Sequence, residues 1–267
     1  MSIDWKRLAE AIRPHQRFLL TSHVRPDCDA LGSELAMAAL LRQMGKEATI
    51  VNASETPPHL SFIDPTNEVR VIGRDVSAAE LTGAFDALMV LDTGAWIQLA
   101  EMGEVLKAFD GPKLVLDHHV SEDDLGAEVF KDSTSEATGR LVYEAAQAWG
   151  LSLDPQTAAQ LFTAIATDTG WFRFSSVSAG TYRAIAGLID AGAVPSAIYA
   201  DLYERDRLAR VQLRGLILSK VALTGSGRLA YSVARREDFE ATQSTTSDTE
   251  DAINMMLVIQ GVQAAVL

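Results

Sequence analysis

A histidine and two aspartates fall within seven residues of the segment His23-Val24-Arg25-Pro26-Asp27-Cys28-Asp29, which leads into Ala30-Leu31-Gly32-Ser33. Asp27 and Asp29, two apart in an extended loop, can both point at one object held at the end of a strand. Two carboxylates about 4 Å apart repel by about 4 kcal/mol at an effective dielectric near 20, so such a pair needs a cation to hold it. A divalent metal is the economical answer, and histidine with carboxylates suits manganese, iron or zinc better than calcium or magnesium alone. Further along the chain, Asp92 ends the apolar run Ala87-Leu88-Met89-Val90-Leu91, and Asp117-His118-His119 ends Leu114-Val115-Leu116. Asp168 follows Ala164-Ile165-Ala166-Thr167. The candidate ligands are therefore His23, Asp27, Asp29, Asp92, Asp117, His118, His119 and Asp168, a set that takes three of the chain's five histidines.

Each of these groups stands just beyond an apolar segment, so the elements that position them can be read next. Gln16 to Ser22 reads as a buried strand delivering His23. The helix-like stretch from about Ala30 to Met44 ends at Gly45, and Ala48 to Asn52 is the next strand. Val69 to Ile72, Asp86 to Leu91, Lys113 to Leu116 and Glu128 to Lys131 add further strands. Helices are expected at Asp4 to Arg13, Ala137 to Trp149, Pro155 to Thr167, Ser178 to Asp190 and Ser196 to Tyr203. This strand and helix alternation predicts a parallel sheet, whose ligands bind beyond the carboxyl ends of the strands. Thr56 to Pro65 carries three prolines and reads as a loop with a short helical turn, which leaves its His59 out of the site. Cys28, between Asp27 and Asp29, should face away from them as a small buried side chain.

After about Asp206 the pattern changes. A helix rich in arginine (Arg207, Arg210, Arg214) runs to Val221, Arg228 to Ala234 alternates like a strand, and Ser247-Asp248-Thr249-Glu250 opens a helix to Met256. Gly261 to Leu267 starts another strand, in which the sequence ends, so an incomplete second domain is expected. The division predicted is 1–190 for the sheet domain, 191–221 for a helical linker and 222–267 for a smaller α/β domain.

Composition narrows the function classes. With 267 residues, 48% hydrophobic and 22% charged, this is a globular composition. The net charge of -13 argues against a duplex nucleic acid partner, which needs a basic face. It leaves room for a small anionic substrate, because bound divalent ions can dominate the local charge. One cysteine excludes an intrachain disulfide and fits a reducing compartment. No stretch approaches 18 uninterrupted apolar residues. A cytoplasmic protein with no membrane partner is expected.

The blocks His23 to Ser33, Val90 to Gly94, Asp117 to His119 and Thr167 to Gly170 resemble, in order and spacing, motifs one to four of the DHH phosphoesterase superfamily, named for its Asp-His-His triplet. The flanking Ala-Leu-Gly-Ser and Thr-Gly-Trp-Phe-Arg-Phe fit as well. The resemblance covers roughly residues 15 to 190, the remainder resembles the beginning of the associated DHHA1 domain, and the layout is most similar to small bacterial oligoribonucleases ("nanoRNases"). Those enzymes also dephosphorylate 3'-phosphoadenosine 5'-phosphate. They carry a Gly-Gly-Gly-His segment near the carboxyl terminus that helps to hold the nucleotide, and this sequence ends before one.

Carried over residue by residue, the resemblance implies one metal on His23, Asp27 and Asp92 and a second on Asp29, Asp92, His118 and Asp168, with Asp92 bridging. Manganese is the first expectation, with magnesium, cobalt or iron as alternatives. Asp117 would orient a histidine, His119 would face the scissile phosphate, and Arg25 and Arg173 are candidate phosphate contacts. Two such metals can activate a hydroxide and stabilise the entering and leaving oxygens of an in-line displacement. The expected activity is hydrolysis of short oligonucleotides and of 3'-phosphoadenosine 5'-phosphate. An inorganic pyrophosphatase or exopolyphosphatase and a cyclic dinucleotide phosphodiesterase are the alternatives from the same superfamily, and a metal-binding regulatory module is the alternative from another class. The apolar faces of the helices after Asp154 would support a homodimer.

Overall fold

In the computed structural model, which describes residues 3–81, 83–249 and 252–267 without the Ser247 side chain, the apolar run Phe18-Leu19-Leu20 lies at the centre of a parallel sheet. The elements in chain order are α1 Trp5–Ile12, β1 Arg17–Thr21, α2 Cys28–Gln43, β2 Glu47–Asn52, β3 Val69–Val71, α3 Ala78–Leu81 and β4 Ala87–Leu91. They continue with α4 Trp96–Leu99, α5 Glu101–Ala108, β5 Lys113–Asp117, β6 Glu128–Lys131, α6 Thr138–Trp149, α7 Pro155–Asp168, α8 Ala179–Asp190 and α9 Pro195–Tyr203. A 3-10 turn at Pro58–Ile63 holds His59 in the proline-rich loop. The chain divides into two compact units, Met1–Leu202 and Tyr203–Leu267.

The sheet of the first unit has the order β3-β2-β1-β4-β5-β6. All of its pairings are parallel, in registers such as Phe18 beside Ala48 on one side and beside Ala87 on the other. Both faces are covered, which is why the central strands are apolar without alternation. Leu20, Met89 and Leu116 point into the cluster built with α2, α6 and α7, while Leu19, Val90 and Val115 point into a second one built with α5. The mixed α/β fold with a parallel sheet flanked by helices is thus the one the alternation predicts.

Helix α2 is buried almost all round, including the polar Ser33 and Glu34. It can lie against α7 because position 32 is glycine: a Cβ there would stand 2.6 Å from the Gln160 carbonyl oxygen. The helix begins earlier than its apolar pattern suggests, at Cys28, because Asp27 caps it through Oδ1 to the N–H groups of Asp29 and Ala30 at 2.9 and 3.0 Å. Asp29 therefore sits in the first helical turn, where an extended loop was expected. Cys28 is buried in the core cluster.

The second unit holds α10 Leu208–Ser219, β7 Ala222–Thr224, β8 Leu229–Tyr231, α11 Arg236–Thr242, α12 Ala252–Leu257 and β9 Ala264–Val266. Strand β8 pairs antiparallel with β7 and parallel with β9. The strand expected over Arg228 to Ala234 is shorter, and the helix expected from Ser247 is a 3-10 turn at Thr246–Thr249 followed by α12, with Glu250 outside the described residues. Leu213, Ile217 and Ala252 form a small core. The arginines of the α10 region are tied to acids of their own unit: Arg207 to Asp248 at 2.9 Å, Arg214 to Asp206 at 3.0 Å and Arg210 to Asp206 at 3.4 Å. Among the described residues no single helix is long and apolar enough to cross a membrane.

Candidate metal centre

Crossovers from β1 lead outward to β2 and β3, whereas β4 leads the other way to β5 and β6, so the winding reverses between β1 and β4. Such a switch point opens a crevice at the carboxyl ends of the two strands, the usual ligand site of an open α/β sheet. His23 follows β1 and Asp92 follows β4. Asp92 has φ 62°, a left-handed conformation that aspartate tolerates better than most residues, and it is buried.

Two histidines are aimed in the same way. The His23 Nδ1–H donates to the Val24 carbonyl at 2.9 Å, and the His118 Nδ1–H donates to the Ser135 carbonyl at 3.3 Å. In the neutral ring each Nδ1–H bond fixes the tautomer with its lone pair on Nε2, the arrangement second partners impose on metal-ligating histidines. His23 Nε2 faces Asp92 Oδ2 at 3.5 Å and Asp27 Oδ1 at 3.8 Å. His118 Nε2 faces Asp92 Oδ1 and Asp168 Oδ2 at 3.6 Å and Asp29 Oδ2 at 3.7 Å. These separations are too long for hydrogen bonds. They fit donor atoms shared by one ion, since two ligands about 2.1 Å from a metal stand roughly 3.4 Å apart at a tetrahedral angle.

Among the described residues, donor atoms converge in three groups, each within 4.8 Å: His23, Asp27 and Asp92; Asp29, His118 and Asp168; and Asp92, His118 and His119. Asp92 takes part in the first and third. His119 turns its Nδ1–H to Asp117 Oδ1 at 2.8 Å, and the same oxygen accepts the His119 backbone N–H at 3.1 Å. Asp117 Oδ2 is buried without a hydrogen-bond partner. Arg25 and Arg173 stand outside these groups; both are exposed, and the Arg173 guanidinium lies over the Phe174 ring.

The electrostatics describe a site short of positive charge. Burial and the charge of Asp29 push the Asp92 carboxyl well above the usual carboxylate range, and burial with the charge of Asp27 raises that of Asp29 despite His118. Burial and the charges of Asp29 and Asp27 push Asp168 up to about 7. Burial opposes a charge on His23, yet Asp27 and Asp92 together push it up to about 11. Burial works against the Asp27 charge as well, but His23 holds the carboxyl below its ordinary value. Divalent cations are what this donor set lacks, and oxygen and imidazole ligands in it suit manganese, iron or zinc.

Two supports of the site carry no reactive side chain of their own and were not expected. The N-terminus of α6 holds Asp29: the Thr138 N–H donates to Oδ2 and the Gly139 N–H to Oδ1, both at 2.7 Å. The Thr138 hydroxyl donates to Asp92 Oδ1 at 2.9 Å, so one helix end orders two carboxylates. A helix was predicted from Ala137, and its free N–H groups were the available signal. The other support is Asn52 at the end of β2, which donates to Glu34 Oε2 at 2.9 Å and accepts the Ser22 N–H at 3.1 Å beside His23. Burial pushes the Glu34 carboxyl up to about 8. An acid within an otherwise apolar helix was the signal for it.

The model of the DHH family, N-terminal domain, matches residues 17–167. The chain belongs to the DHH family. It is accordingly a hydrolase of the DHH phosphoesterase type, a family membership that implies divalent metal use. Among curated relatives, the DHH protein of Bacillus subtilis named bifunctional oligoribonuclease and PAP phosphatase is 27% identical over 96% of this chain and 79% of its own length. A protein of the same name from Thermus thermophilus is 26% identical over 91% of this chain and 69% of its own length. Among solved structures, an exopolyphosphatase-related protein from Bacteroides fragilis superposes with a TM-score of 0.91 at 22% identity, over 97% of this chain and 77% of that one. That likeness is one of fold.

Proposed function

We propose that this DHH protein is a manganese-dependent phosphoesterase that releases mononucleotides from very short oligonucleotides and phosphate from 3'-phosphoadenosine 5'-phosphate in the cytoplasm. The observation that carries the reading is the buried Asp92, whose two oxygens face His23 on one side and His118 on the other. His23, Asp27 and Asp92 would hold one divalent ion, and Asp29, Asp92, His118 and Asp168 a second. Bound there, such ions supply Lewis-acid activation of water and neutralise phosphoryl oxygens.

The remaining roles belong to the chain. The Thr138 and Gly139 N–H groups orient Asp29 and favour its charged form against the burial that raises its pKa. Asp117 accepts the His119 Nδ1–H and raises the affinity of that ring for a second proton, so that Nε2 can donate to a phosphate oxygen. Arg25 and Arg173, exposed on loops beside the site, are the cationic contacts for a substrate that carries several charges. The names of the curated relatives support the nucleotide substrates. A pyrophosphatase would use cations of the second unit such as Arg207, Arg210 and Arg214, and their pairing with Asp248 and Asp206 weakens that alternative. The exposed Ile189 and Val194 support the homodimer.

The test is release of mononucleotide and phosphate from a dinucleotide, 3'-phosphoadenosine 5'-phosphate and inorganic pyrophosphate with added manganese. Turnover of the first two is expected. Preference for pyrophosphate would reassign the substrate, and turnover that survives chelation would remove the metals. Manganese should also raise the melting temperature of the wild type, by linkage, and leave that of Asp92→Ala unmoved.

A further inference from the structure

Asp168 ends α7, and the chain then places three successive residues at positive φ: Gly170 at 57°, Trp171 at 59° and Phe172 at 66°. Glycine adopts this region freely, whereas two bulky aromatics are strained in it. The turn is held by the Trp171 N–H on the Ala166 carbonyl at 2.6 Å and the Phe172 N–H on Thr169 Oγ1 at 3.1 Å. The N–H groups of Arg173 and Phe174 both reach the Thr169 carbonyl at 3.1 Å, and the Trp171 and Phe172 rings pack edge-on against Phe162. Strain that the surroundings enforce this firmly gathers at ligand sites.

The result of the turn is that Phe174 comes back over Gly170. A Cβ at position 170 would lie 2.6 to 2.9 Å from the Cζ, Cε1 and Cε2 atoms of the ring, so the ring rests on bare backbone two residues from Asp168. Across two trans peptides, the Gly170 Cα is within about 7.6 Å of the Asp168 Cα. Phe174 belongs to neither apolar cluster of its unit and is 47% exposed, with the Arg173 guanidinium 5.2 Å from its centroid. An exposed aromatic plane with a cation 5.2 Å from its centroid, in the turn that follows a proposed metal ligand, has the chemistry that receives a nucleobase.

We propose that Phe174, with Arg173 over it, is the subsite for the base of the substrate nucleotide. The proposal rests on the nucleotide reading above and names the part of the substrate that inorganic pyrophosphate lacks. Arg173 then acts by stacking as well as by charge, and Gly170 is required because any side chain would lift the ring.

The experiment compares kcat and KM for a dinucleotide and for its analogue with one base replaced by hydrogen, in wild type, Phe174→Ala and Phe174→Tyr. Stacking on one aromatic predicts that the wild-type preference for the full dinucleotide falls about tenfold in Phe174→Ala, through KM rather than kcat, and is restored by Phe174→Tyr. A preference within twofold of wild type in Phe174→Ala overturns the subsite. Should Phe174→Ala fail to fold, as melting would reveal, Phe174→Leu covers Gly170 without a π face and is expected to lose the preference in the same way. A wild type that cleaves pyrophosphate and neither dinucleotide overturns the nucleotide reading itself, an outcome distinct from an unchanged preference.

Discussion

Acids are gathered in both units, and they are treated in opposite ways. In the second unit the Lys220 ammonium bonds Asp238 at 2.6 Å and holds its carboxyl below the usual range. Asp248 is likewise lowered: burial opposes its charge, but the Thr245 N–H at 2.8 Å and the Arg207 guanidinium outweigh it. At the switch point of the first unit, Asp29, Asp92 and Asp168 face His118 at 3.6 to 3.7 Å, Asp92 faces His23 at 3.5 Å, and all three carboxyls are pushed up. A paired acid is part of the fold's own electrostatics. Crowded acids that share histidines and, among the described residues, no lysine or arginine partner cost stability, and the reason to keep them is the ion they can hold.

The comparison breaks most directly at one position in each unit. Asp92→Asn removes a carboxylate that its neighbours repel, so the metal-free protein should melt no lower than wild type while activity falls at least about a thousandfold. Asp238→Asn leaves Lys220 without its partner and weakens the acceptor for the Arg235 N–H at the start of α11, so the melting temperature should fall. Calorimetric melting in chelator, alongside turnover with manganese, reads both. If Asp92→Asn destabilised the metal-free protein as Asp238→Asn does, the carboxylate cluster would be structural and the contrast would collapse.

A second break lies in the backbone that holds Asp29. A Cβ at Gly139 would meet the Ala164 Cβ at 2.6 Å and Asp29 Oδ1 at 3.2 Å, so Gly139→Ala must push α6 from α7 or lift it off the carboxylate. Overpacking of this kind costs about 1–3 kcal/mol of stability. Loss of a partner that orients a ligand lowers metal affinity or activity by about 10- to 100-fold. Manganese titration followed by calorimetry separates the two, because a packing defect alone would lower the melting temperature and leave the manganese affinity as it was.

What could be read in advance follows from how each feature is encoded. A strand buried on both faces must be apolar throughout, so Phe18 to Leu20, Ala87 to Leu91 and Leu114 to Leu116 announce themselves, and so do the ionisable residues that follow them. The convergence of His23, Asp27, Asp29, Asp92, His118 and Asp168 at one edge could be inferred from that placement. Donors that are backbone N–H groups leave no mark in side-chain chemistry, which is why Thr138 and Gly139 escaped. Asp29 was misplaced in a loop because its helix is started by the side chain of Asp27, an acid already assigned to the metal. In the second unit the alternation of Arg228 to Ala234 announced β8, whereas β7 is three residues long and α11 is polar Arg-Glu-Asp-Phe-Glu-Ala-Thr, too short or too mixed for a periodic signal.

The smallest effect tests whether a third kind of acid, buried and neutral, completes the contrast. Glu34 is fully buried, with one oxygen accepting from Asn52 Nδ2 and the other without a hydrogen-bond partner. Burial raises its pKa from an ordinary 4.5 to about 8. The folded protein therefore binds this proton more tightly than the unfolded chain does. Glu34's contribution to stability is full below pH 4.5, declines as pH rises, and is lost once pH passes about 8. Glu34→Gln keeps the shape and an amide for Asn52 but cannot ionise, so its melting temperature should fall less than that of wild type between pH 5 and pH 9, on the order of a few degrees. Melting of the metal-free protein across that range is the measurement. Parallel curves for the two proteins would mean that Glu34 is ionised when folded, and it would then join the crowded carboxylates of the switch point rather than stand apart from them.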